Sequence, residues 1–191
     1  MILALDPSLS CIGWAVLEPD ASRVVEYGTY KPQGKTLDEK LNTAFVWMLF
    51  RLERDFHEIV SVIAFEMPVV HRNTATTIKL AQLVGVLRTA AFRWISETIE
   101  INPGGRLATL GLPVAMKRPM AKQAVLANVN GRYGLKLKAR EHDIADAIAV
   151  GIAASKRIGK ASSWRFGRES FKESTRKGRN RGWMQAQEAG N

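Results

Sequence analysis

Three short runs near the start of the chain have the length of β-strands; the first two are apolar, apart from Asp6 at the end of the first, and the third alternates between apolar and polar positions at the two-residue period of a strand. They cover Ile2–Asp6, Gly13–Leu17 and Arg23–Tyr30, with turn residues between them. Runs of this length that are rich in β-branched and aromatic residues predict strands. Because the connections are short, the pattern predicts three strands in an antiparallel meander.

The next segment changes to the period of an α-helix. Thr36 and Glu39 have the spacing of a capping box, which predicts the start of a helix. Apolar residues then recur along one side of that helix as far as Phe56. Val60–Glu66 follows as a short apolar run, and Pro68 stops it. A strand, a long helix and a further strand form a crossover unit, so we expect this strand to lie parallel to the first one.

A second long helix and a fifth strand are predicted after this unit. The helix covers Thr74–Glu97, and Gly85 interrupts it where we expect close packing against another element. The positions that its pattern predicts to be buried include Ile78, Ala81, Val84, Ala91 and Ile95. The strand covers Thr98–Ile101 and ends in a turn at Asn102–Gly105, which is rich in Gly and Pro.

Two more helices complete the predicted fold. One covers Arg118–Tyr133 and ends at Gly134. The last helix runs from about Arg140 to Arg157, with a core-facing stripe formed by Ile144, Ile148 and Ile152. Residues 106–116 show no clear period. Strands and helices follow one another along the chain, so the predicted fold class is α/β.

Composition favours one folded domain followed by a tail of different character. The chain has 191 residues, of which 46% are hydrophobic. Its formal charge is +10, yet residues 156–191 hold ten basic and three acidic residues, a net of +7, which leaves +3 for residues 1–155. The last segment combines Ser, Gly, Lys and Arg without a period. We therefore predict a domain over residues 1–155 and a basic, flexible tail over residues 156–191.

Aromatic residues of the tail lie among its basic residues. They are Trp164, Phe166, Phe171 and Trp183. This mixture suits nucleic acid, because cations bind the phosphate backbone and rings stack on exposed bases. A tail that only keeps the protein in solution is the alternative.

Neither a secretory segment nor a membrane span is predicted. Met1–Leu5 is too short for a signal-peptide core, and no apolar run approaches the roughly 20 residues that a span needs. Cys11 is the only cysteine, so an internal disulfide is excluded, and nothing around it indicates an activated thiol. These features predict a cytoplasmic protein associated with the nucleoid, or one that acts in the host cytoplasm if a virus encodes it.

Carboxylates occupy the ends of two predicted strands and the start of the last helix. Asp6 ends the first strand, and Glu66 ends the strand expected to be its parallel neighbour. Both should lie at the same edge of the sheet, outside which ligand sites of such sheets are found. Asp143 and Asp146 are three residues apart, so they project from one face of the last helix. Alternatively, these two acids only complement the helix dipole.

A helix that starts at the same edge would bring four carboxylates together. They are Asp6, Glu66, Asp143 and Asp146, called the four carboxylates below. Like charges this close repel one another unless cations intervene. Oxygen ligands suit hard cations, Mg²⁺ first and Mn²⁺ second. Two such ions about 3.5–4 Å apart are a common device for cleaving phosphodiester bonds, so the cluster predicts a metal-dependent nuclease with two ions per site.

The order of these residues resembles the ribonuclease-H-like nuclease superfamily and, more narrowly, the RuvC family of Holliday junction resolvases. The resemblance covers residues 1–155. The matching segments are Ile2–Ser8, Gly13–Ala15, Ala64–Glu66, Lys79–Val86, Ala121–Val125 and His142–Ala147. The resemblance implies a mixed five-stranded sheet with helices on both faces. It also implies a homodimer that nicks a four-way DNA junction symmetrically, with the four carboxylates as metal ligands and catalytic residues.

The resemblance further implies two basic residues between the fifth strand and the last helix. Arg106 or Lys117 fits the first, and Lys122, which would also act in catalysis, fits the second. The residues expected to contact DNA are Arg72, Lys79, Arg106, Lys117, Arg118 and Lys122. Two features depart from the family. Val69 stands where an aromatic wedge is frequent, and the segment before Lys122 is longer than usual.

Two further alternatives stay open. A branched-DNA-binding protein could keep the ribonuclease-H-like fold without activity, although DNA binding gains nothing from clustered anions. A cleavage assay with and without Mg²⁺ separates this alternative from a nuclease.

His142 has two possible roles. It either tunes or binds a metal beside Asp143, or it is a surface or capping residue. Trp14, on the second strand, is expected in the core.

Overall fold

A five-stranded mixed sheet lies at the centre of the computed structural model, which describes residues 1–68, 74–95 and 97–159. Its strands are β1 (Ile2–Asp6), β2 (Ile12–Leu17), β3 (Val24–Tyr30), β4 (Val62–Glu66) and β5 (Glu97–Ile101). Their order across the sheet is β3-β2-β1-β4-β5. β2 lies antiparallel to β1 and β3, whereas β4 lies parallel to β1 and β5. The predicted meander and the predicted parallel crossover are both confirmed.

Helices connect and cover the strands. In the described part of the chain they are α1 (Leu37–Arg51), α2 (Thr74–Ala91), α3 (Pro103–Thr109), α4 (Arg118–Tyr133) and α5 (residues 142–159). A π-helical segment, Leu52–Phe56, continues α1, and a short 3-10 turn, Ala139–Glu141, precedes α5.

Local end signals of the helices are confirmed. At the start of α1, the Glu39 N–H donates to Thr36 Oγ1 at 3.2 Å, and the Thr36 N–H donates to Glu39 Oε2 at 3.1 Å. Gly134 ends α4 in the left-handed conformation, with φ of 65°. The capping box and the left-handed glycine both pair backbone groups that a helix end leaves without partners. They involve only neighbouring residues, so they do not depend on the tertiary structure.

Alternating side chains of the sheet pack against helices on its two faces. On one face, Leu5 and Phe65 join a core with the buried residues of α1 and α2. On the other face, α5 comes so close that a Cβ on Gly151 would meet the side chain of Leu17. The predicted stripe of α5 is buried, at Ile144, Ile148 and Ile152. The predicted α/β class, with helices on both faces, is confirmed.

The predicted burial along α2 is wrong at two positions. Ile78 is 55% exposed and Ala81 is exposed as well. The helix ends at Ala91, before Glu97 enters β5, and its buried residues are Leu83, Val84, Leu87, Ala90 and Ala91. Within the described residues a Cβ on Gly85 would meet nothing, so the expected close packing there is also wrong. Apolar residues lie on more than one face of α2, and only the sheet selects the face that is buried.

The turn predicted at Asn102–Gly105 is instead the start of α3. The Asn102 side chain accepts a hydrogen bond from the Gly105 N–H, and Pro103 occupies the first turn, where its missing N–H costs nothing. The unassigned residues 106–116 therefore contain the rest of a helix that begins directly after β5. This helix carries Arg106.

Several predictions fall on residues outside the described ranges. They concern Val69, Arg72 and the tail aromatics Trp164, Phe166, Phe171 and Trp183. The chain divides into the units Met1–Lys156 and Arg157–Asn191, and the whole sheet belongs to the first. Among the described residues, no helix has the length and apolar character to cross a membrane.

Candidate active site

Asp6 and Glu66 stand at the ends of two adjacent parallel strands. The register pairs Leu5 with Phe65, so Asp6 and Glu66 end side by side at one edge of the sheet. Alternation along a strand sends neighbouring side chains to opposite faces. Because Leu5 and Phe65 enter the core beneath α1 and α2, Asp6 and Glu66 face the side that α5 covers.

Gly13 of β2 brings the start of α5 to the same place. It lies opposite Asp6 in the β1–β2 register. A Cβ on Gly13 would meet the carbonyl group of Asp143 and would lie 3.2 Å from its Cα. Only a residue without a side chain permits that approach. Gly13 therefore sets the separation between the sheet and the first turn of α5, which carries Asp143 and Asp146.

The four carboxylates form one electrostatic cluster. Burial, followed by the charges of Glu66 and Asp146, raises the pKa of Asp6 well above its ordinary value, and Asp143 adds to the rise. Burial raises the pKa of Glu66 to about 7, although the charge of Arg106 opposes it. Burial also raises the pKa of Asp146, which is 4% exposed. Nearby positive charge therefore does not offset the burial of these carboxylates, as expected of a site that recruits cations.

Arg106 of α3 reaches into this cluster. Its Nη1 atom lies 2.8 Å from Glu66 Oε2 and 2.8 Å from Asp146 Oδ1. The Arg106 side chain is 10% exposed, so the ion pairs are buried. The guanidinium is occupied by carboxylates in this structure, and its predicted role in DNA contact stays a prediction.

The first turns of α4 add positive charge at the rim of the cluster. After burial and Arg106, the charges of Arg118 and Lys122 act on Glu66 and oppose the rise of its pKa. Lys122 also acts on Asp146 in the same direction. Lys117 precedes α4 at its N-cap position, where both Lys117 and Arg118 are exposed. Arg118 and Lys122 therefore act on the carboxylates from the first turns of α4, and Lys117 directly precedes Arg118 in the chain.

Lys79, His142 and Cys11 complete the predicted set within the described residues. Lys79 is exposed on α2. His142 Nε2 lies 3.0 Å from Asp143 Oδ1, and its Nδ1 lies 3.1 Å from the Ala139 carbonyl oxygen. Burial, followed by a hydrogen bond with Asp143, raises the pKa of the Cys11 thiol to about 11, so this thiol is not activated.

Trp14 is 7% exposed and packs against Phe56, with ring centroids 5.8 Å apart. Its predicted place in the core is confirmed.

The donor set fits hard divalent cations. Every group of the cluster is a carboxylate, and Glu66 and Asp146 direct an oxygen atom at the same cationic atom, Arg106 Nη1. Among the described residues, no three side chains of the metal-binding types converge as they stand. A cation that replaced the guanidinium would find these two oxygens already close to one point.

The fold and the clustered carboxylates define a ribonuclease-H-like protein of the nuclease type. A family model described as "Crossover junction endodeoxyribonuclease RuvC" matches residues 2–154. The chain belongs to the RuvC family of crossover junction endodeoxyribonucleases, as the resemblance in the sequence predicts. Enzymes of this family depend on a metal ion.

Curated relatives and solved structures agree with this assignment. The chain is 33% identical to RuvC of Wolinella succinogenes over 161 residues, covering 82% of this chain and 94% of that protein. It is 29% identical to RuvC of Synechocystis over 160 residues, covering 79% and 88%.

A structure of Thermus thermophilus RuvC in complex with Holliday junction substrate matches with a TM-score of 0.67 and 21% identity, covering 83% of this chain and 95% of that one. The yeast mitochondrial Holliday junction resolvase matches with a TM-score of 0.58 and 13% identity, covering 89% and 83%.

Two contributors to the site are absent from the sequence-based prediction. One is the contact of Gly13 with Asp143, and the other is the position of Arg106 between carboxylates. Asn102 followed by Pro103 is an N-cap and first-turn pattern that could have predicted α3. No local pattern indicates the Gly13 contact, because its two partners belong to distant segments.

Proposed function

We propose that this protein is a structure-selective endonuclease that resolves Holliday junctions or other branched DNA by two-metal hydrolysis of phosphodiester bonds. The observation that carries the proposal is the position of the four carboxylates at one edge of the sheet, where the charges of the other three act on Asp6. Family membership supports it, since curated relatives are named crossover junction endodeoxyribonucleases. The Thermus thermophilus neighbour, described with a Holliday junction substrate, supports the choice of DNA.

The four carboxylates would hold two ions of Mg²⁺ or Mn²⁺ and act as the catalytic residues. When bound, such ions supply an activated water and positive charge for the leaving oxygen. Asp6 and Glu66 are held by paired strands, and Asp143 and Asp146 by a helix that is packed on the sheet. Ligands on such rigid elements keep their geometry better than ligands on loops.

Basic residues around the cluster would bind the DNA backbone. Lys122, whose charge already acts on Glu66 and Asp146, would offset charge on the phosphate during cleavage. Arg118 and Lys117 would extend this contact along the start of α4, where the helix dipole also favours phosphate. The outer contacts would be made by Lys79 and Arg72.

A cleavage assay with the full chain tests the proposal. The substrates are a synthetic four-way junction and a duplex of matching sequence, in Mg²⁺, in Mn²⁺ or in a chelator. We expect paired nicks in the junction with either metal, none in the chelator, and much slower cleavage of the duplex. Junction binding without cleavage in either metal would instead favour a branched-DNA-binding protein that has lost its activity.

The protein would act as a homodimer. A four-way junction has approximate two-fold symmetry, which a C₂ dimer matches with two copies of one site. α2 is the candidate interface, because Ile78 is 55% exposed and Phe92, just beyond the helix, is 76% exposed. Sedimentation with and without junction checks this, and a monomer under both conditions would contradict it.

Residues 156–191 would add DNA affinity to a catalytic domain that covers residues 1–155. They carry +7 of the +10 net charge and none of the four carboxylates. A chain truncated after Ser155 should bind junctions more weakly, with a shallower dependence on salt, yet still cleave at saturating protein. Unchanged affinity and salt dependence would assign the tail to solubility. We place the protein with DNA in the cytoplasm, which fluorescence microscopy of a tagged chain would check.

A further inference from the structure

Arg106 is held at the cluster by a short and well-capped element. α3 begins directly after β5, at the same sheet edge as Asp6 and Glu66. The Arg106 N–H donates to the Asn102 carbonyl at 3.0 Å, and the Asn102 side chain caps the helix. The path from the end of β5 to Arg106 is therefore short, and the guanidinium enters the cluster from the side opposite Gly13 on the sheet.

The contacts of the guanidinium are close but poorly directed. Nη1 lies 2.8 Å from one oxygen of Glu66 and 2.8 Å from one oxygen of Asp146. Nevertheless, neither oxygen, nor Nη1, nor Nε of Arg106 makes a hydrogen bond of good geometry within the described residues. The attraction is therefore Coulombic, without the directed hydrogen bonds that make arginine–carboxylate pairs strong. Buried polar atoms in this condition need an explanation, and an ion bound by the two oxygens would provide one.

One guanidinium is also too little charge for this cluster. Glu66 and Asp146 bring two carboxylates to Nη1, whereas the guanidinium brings one positive charge. A divalent ion would bring twice the charge of Arg106 to the same oxygens. An ion held by the same two oxygens would compete with Nη1 for them.

We propose that Arg106 is a positioning residue that stands in for a metal ion between Glu66 and Asp146, and that an entering ion displaces its guanidinium from the cluster. The inference rests on the proposed metal site. The guanidinium and the ion exclude each other, because they need the same two oxygens and repel one another. Before metal binds, Arg106 keeps two buried carboxylates together that would otherwise repel.

Displacement gives the guanidinium a second task. Once released, it remains next to the carboxylates, where the phosphate of bound DNA would lie in the proposed reaction. Guanidinium groups bind phosphate through two parallel hydrogen bonds, which is better geometry than Arg106 has with Glu66 and Asp146. Metal binding would thereby release the guanidinium of Arg106 to bind the DNA phosphate. This explains how a residue that is buried without metal could make the predicted contact with DNA.

Metal titration without DNA tests the exchange. Mn²⁺ is titrated calorimetrically into the full wild-type chain and into Arg106→Gln. Arg118→Gln is the matched control, because it removes the same charge from the rim of the cluster, where Arg118 acts on Glu66 from an exposed position. We expect Arg106→Gln to bind Mn²⁺ about tenfold more tightly than wild type, the scale of a one-unit electrostatic shift, and Arg118→Gln to change affinity much less.

The outcomes separate this inference from the proposed function. Equal or weaker Mn²⁺ binding by Arg106→Gln overturns the exchange, provided that wild type binds and Asp146→Asn does not. If wild type fails to bind Mn²⁺, or if Asp146→Asn binds as well as wild type, the metal site itself is wrong and the exchange falls with it. If Arg118→Gln gained as much Mn²⁺ affinity as Arg106→Gln, the gain would come from the loss of any nearby positive charge. That result would also overturn the exchange.

Thermal unfolding gives a second readout that a purely structural arginine would not produce. In a chelator, Arg106→Gln should unfold at a lower temperature than wild type, because Glu66 and Asp146 lose their counter-ion. On adding Mn²⁺, its unfolding temperature should rise more than that of wild type. Equal rises in the two proteins contradict the exchange. If Arg106→Gln does not fold, Arg106→Lys replaces it, and its shorter side chain should still give tighter Mn²⁺ binding than wild type.

Discussion

One arginine on each face of the sheet lies between two carboxylates, and the two surroundings differ in kind. Arg51 uses a separate nitrogen for each acid, with Nη2 at 2.8 Å from Glu26 and Nη1 at 2.7 Å from Asp55. Both contacts are directed hydrogen bonds. The guanidinium also lies over the rings of Trp14 and Phe56, at 4.5 and 4.6 Å. Arg51 therefore makes directed contacts with both acids and lies against both rings, although its Nε atom has no hydrogen-bond partner among the described residues.

Arg106 offers a single nitrogen to both of its acids. Its partners, Glu66 and Asp146, have side chains only 13% and 6% exposed, whereas the acids paired with Arg51 are 50% and 40% exposed. Water therefore screens the buried pairs of Arg106 poorly and the half-exposed pairs of Arg51 well. The comparison teaches that directed, half-exposed pairs serve the fold, whereas a crowded and buried cluster with excess negative charge is suited to chemistry.

The largest expected difference between the two faces is in cleavage. Asp146→Asn should abolish junction cleavage in Mg²⁺ and spare junction binding in a chelator, because it removes a metal ligand and reduces repulsion of phosphate. Asp55→Asn makes the same chemical change beside Arg51 and should leave cleavage near the wild-type rate. Cleavage assays and gel shifts on both variants measure this. Near-normal cleavage by Asp146→Asn would remove it from the site.

A smaller but still large effect is expected at the contact of α5 with the sheet. Gly13→Ala should push the first turn of α5 outward and slow cleavage by about 100-fold, the usual scale for a misplacement of 1 Å. Gly151→Ala is the matched control, since its Cβ would meet the side chain of Leu17, which pairs with Ile2 at the opposite end of β1 from Asp6. It should lower the unfolding temperature and change cleavage little.

Circular dichroism establishes conditions in which both glycine variants are equally folded. Their cleavage rates and their Mn²⁺ affinities are then compared under those conditions. Weaker Mn²⁺ binding in Gly13→Ala alone would show that spacing, and not stability, is what this glycine provides. If the two variants lose cleavage equally, the contact of Gly13 with Asp143 has no special role in the site.

The smallest expected effect is a pH dependence of stability that belongs to the carboxylate cluster. Burial raises the pKa of Glu66 from 4.5 to about 7 in the folded protein. Between these values the folded state binds more protons at Glu66 than the unfolded state, so the contribution of Glu66 to metal-free stability is greatest below pH 4.5 and is lost as the pH rises through 7. Burial and like charges act on Asp6 and Asp146 in the same direction.

Denaturant unfolding in a chelator, across this pH range, measures the decline. Glu66→Gln should flatten it, because the neutral amide has no proton to lose. Glu26→Gln, on the face of Arg51, should leave the contribution of the carboxylate cluster in place. A stability of wild type relative to Glu66→Gln that rises with pH over this range would show that Glu66 is not desolvated as described.

Much of the fold could be predicted from the sequence, because the patterns that indicate its helices and strands involve residues close together in the chain. The capping box of Thr36 and Glu39 and the end of α4 at Gly134 involve residues that are neighbours in the chain. The edge position of Asp6 and Glu66 follows from two apolar runs joined by one long helix, since such crossovers make parallel neighbours. The buried face of α2 could not be predicted from the sequence. Ile78 and Leu83 are both apolar, and only tertiary packing exposes the first and buries the second.

By itself, the sequence determined the strands, most helices, the family and the positions of the four carboxylates along the chain. Periodicity and capping are short-range physics, so these features needed no knowledge of distant contacts. Only the tertiary structure decided that Gly13 sets the separation of α5 from the sheet and that Arg106 stands between Glu66 and Asp146. Those contacts join segments far apart in the chain, and their distances depend on how a helix settles on a sheet, which no local pattern encodes.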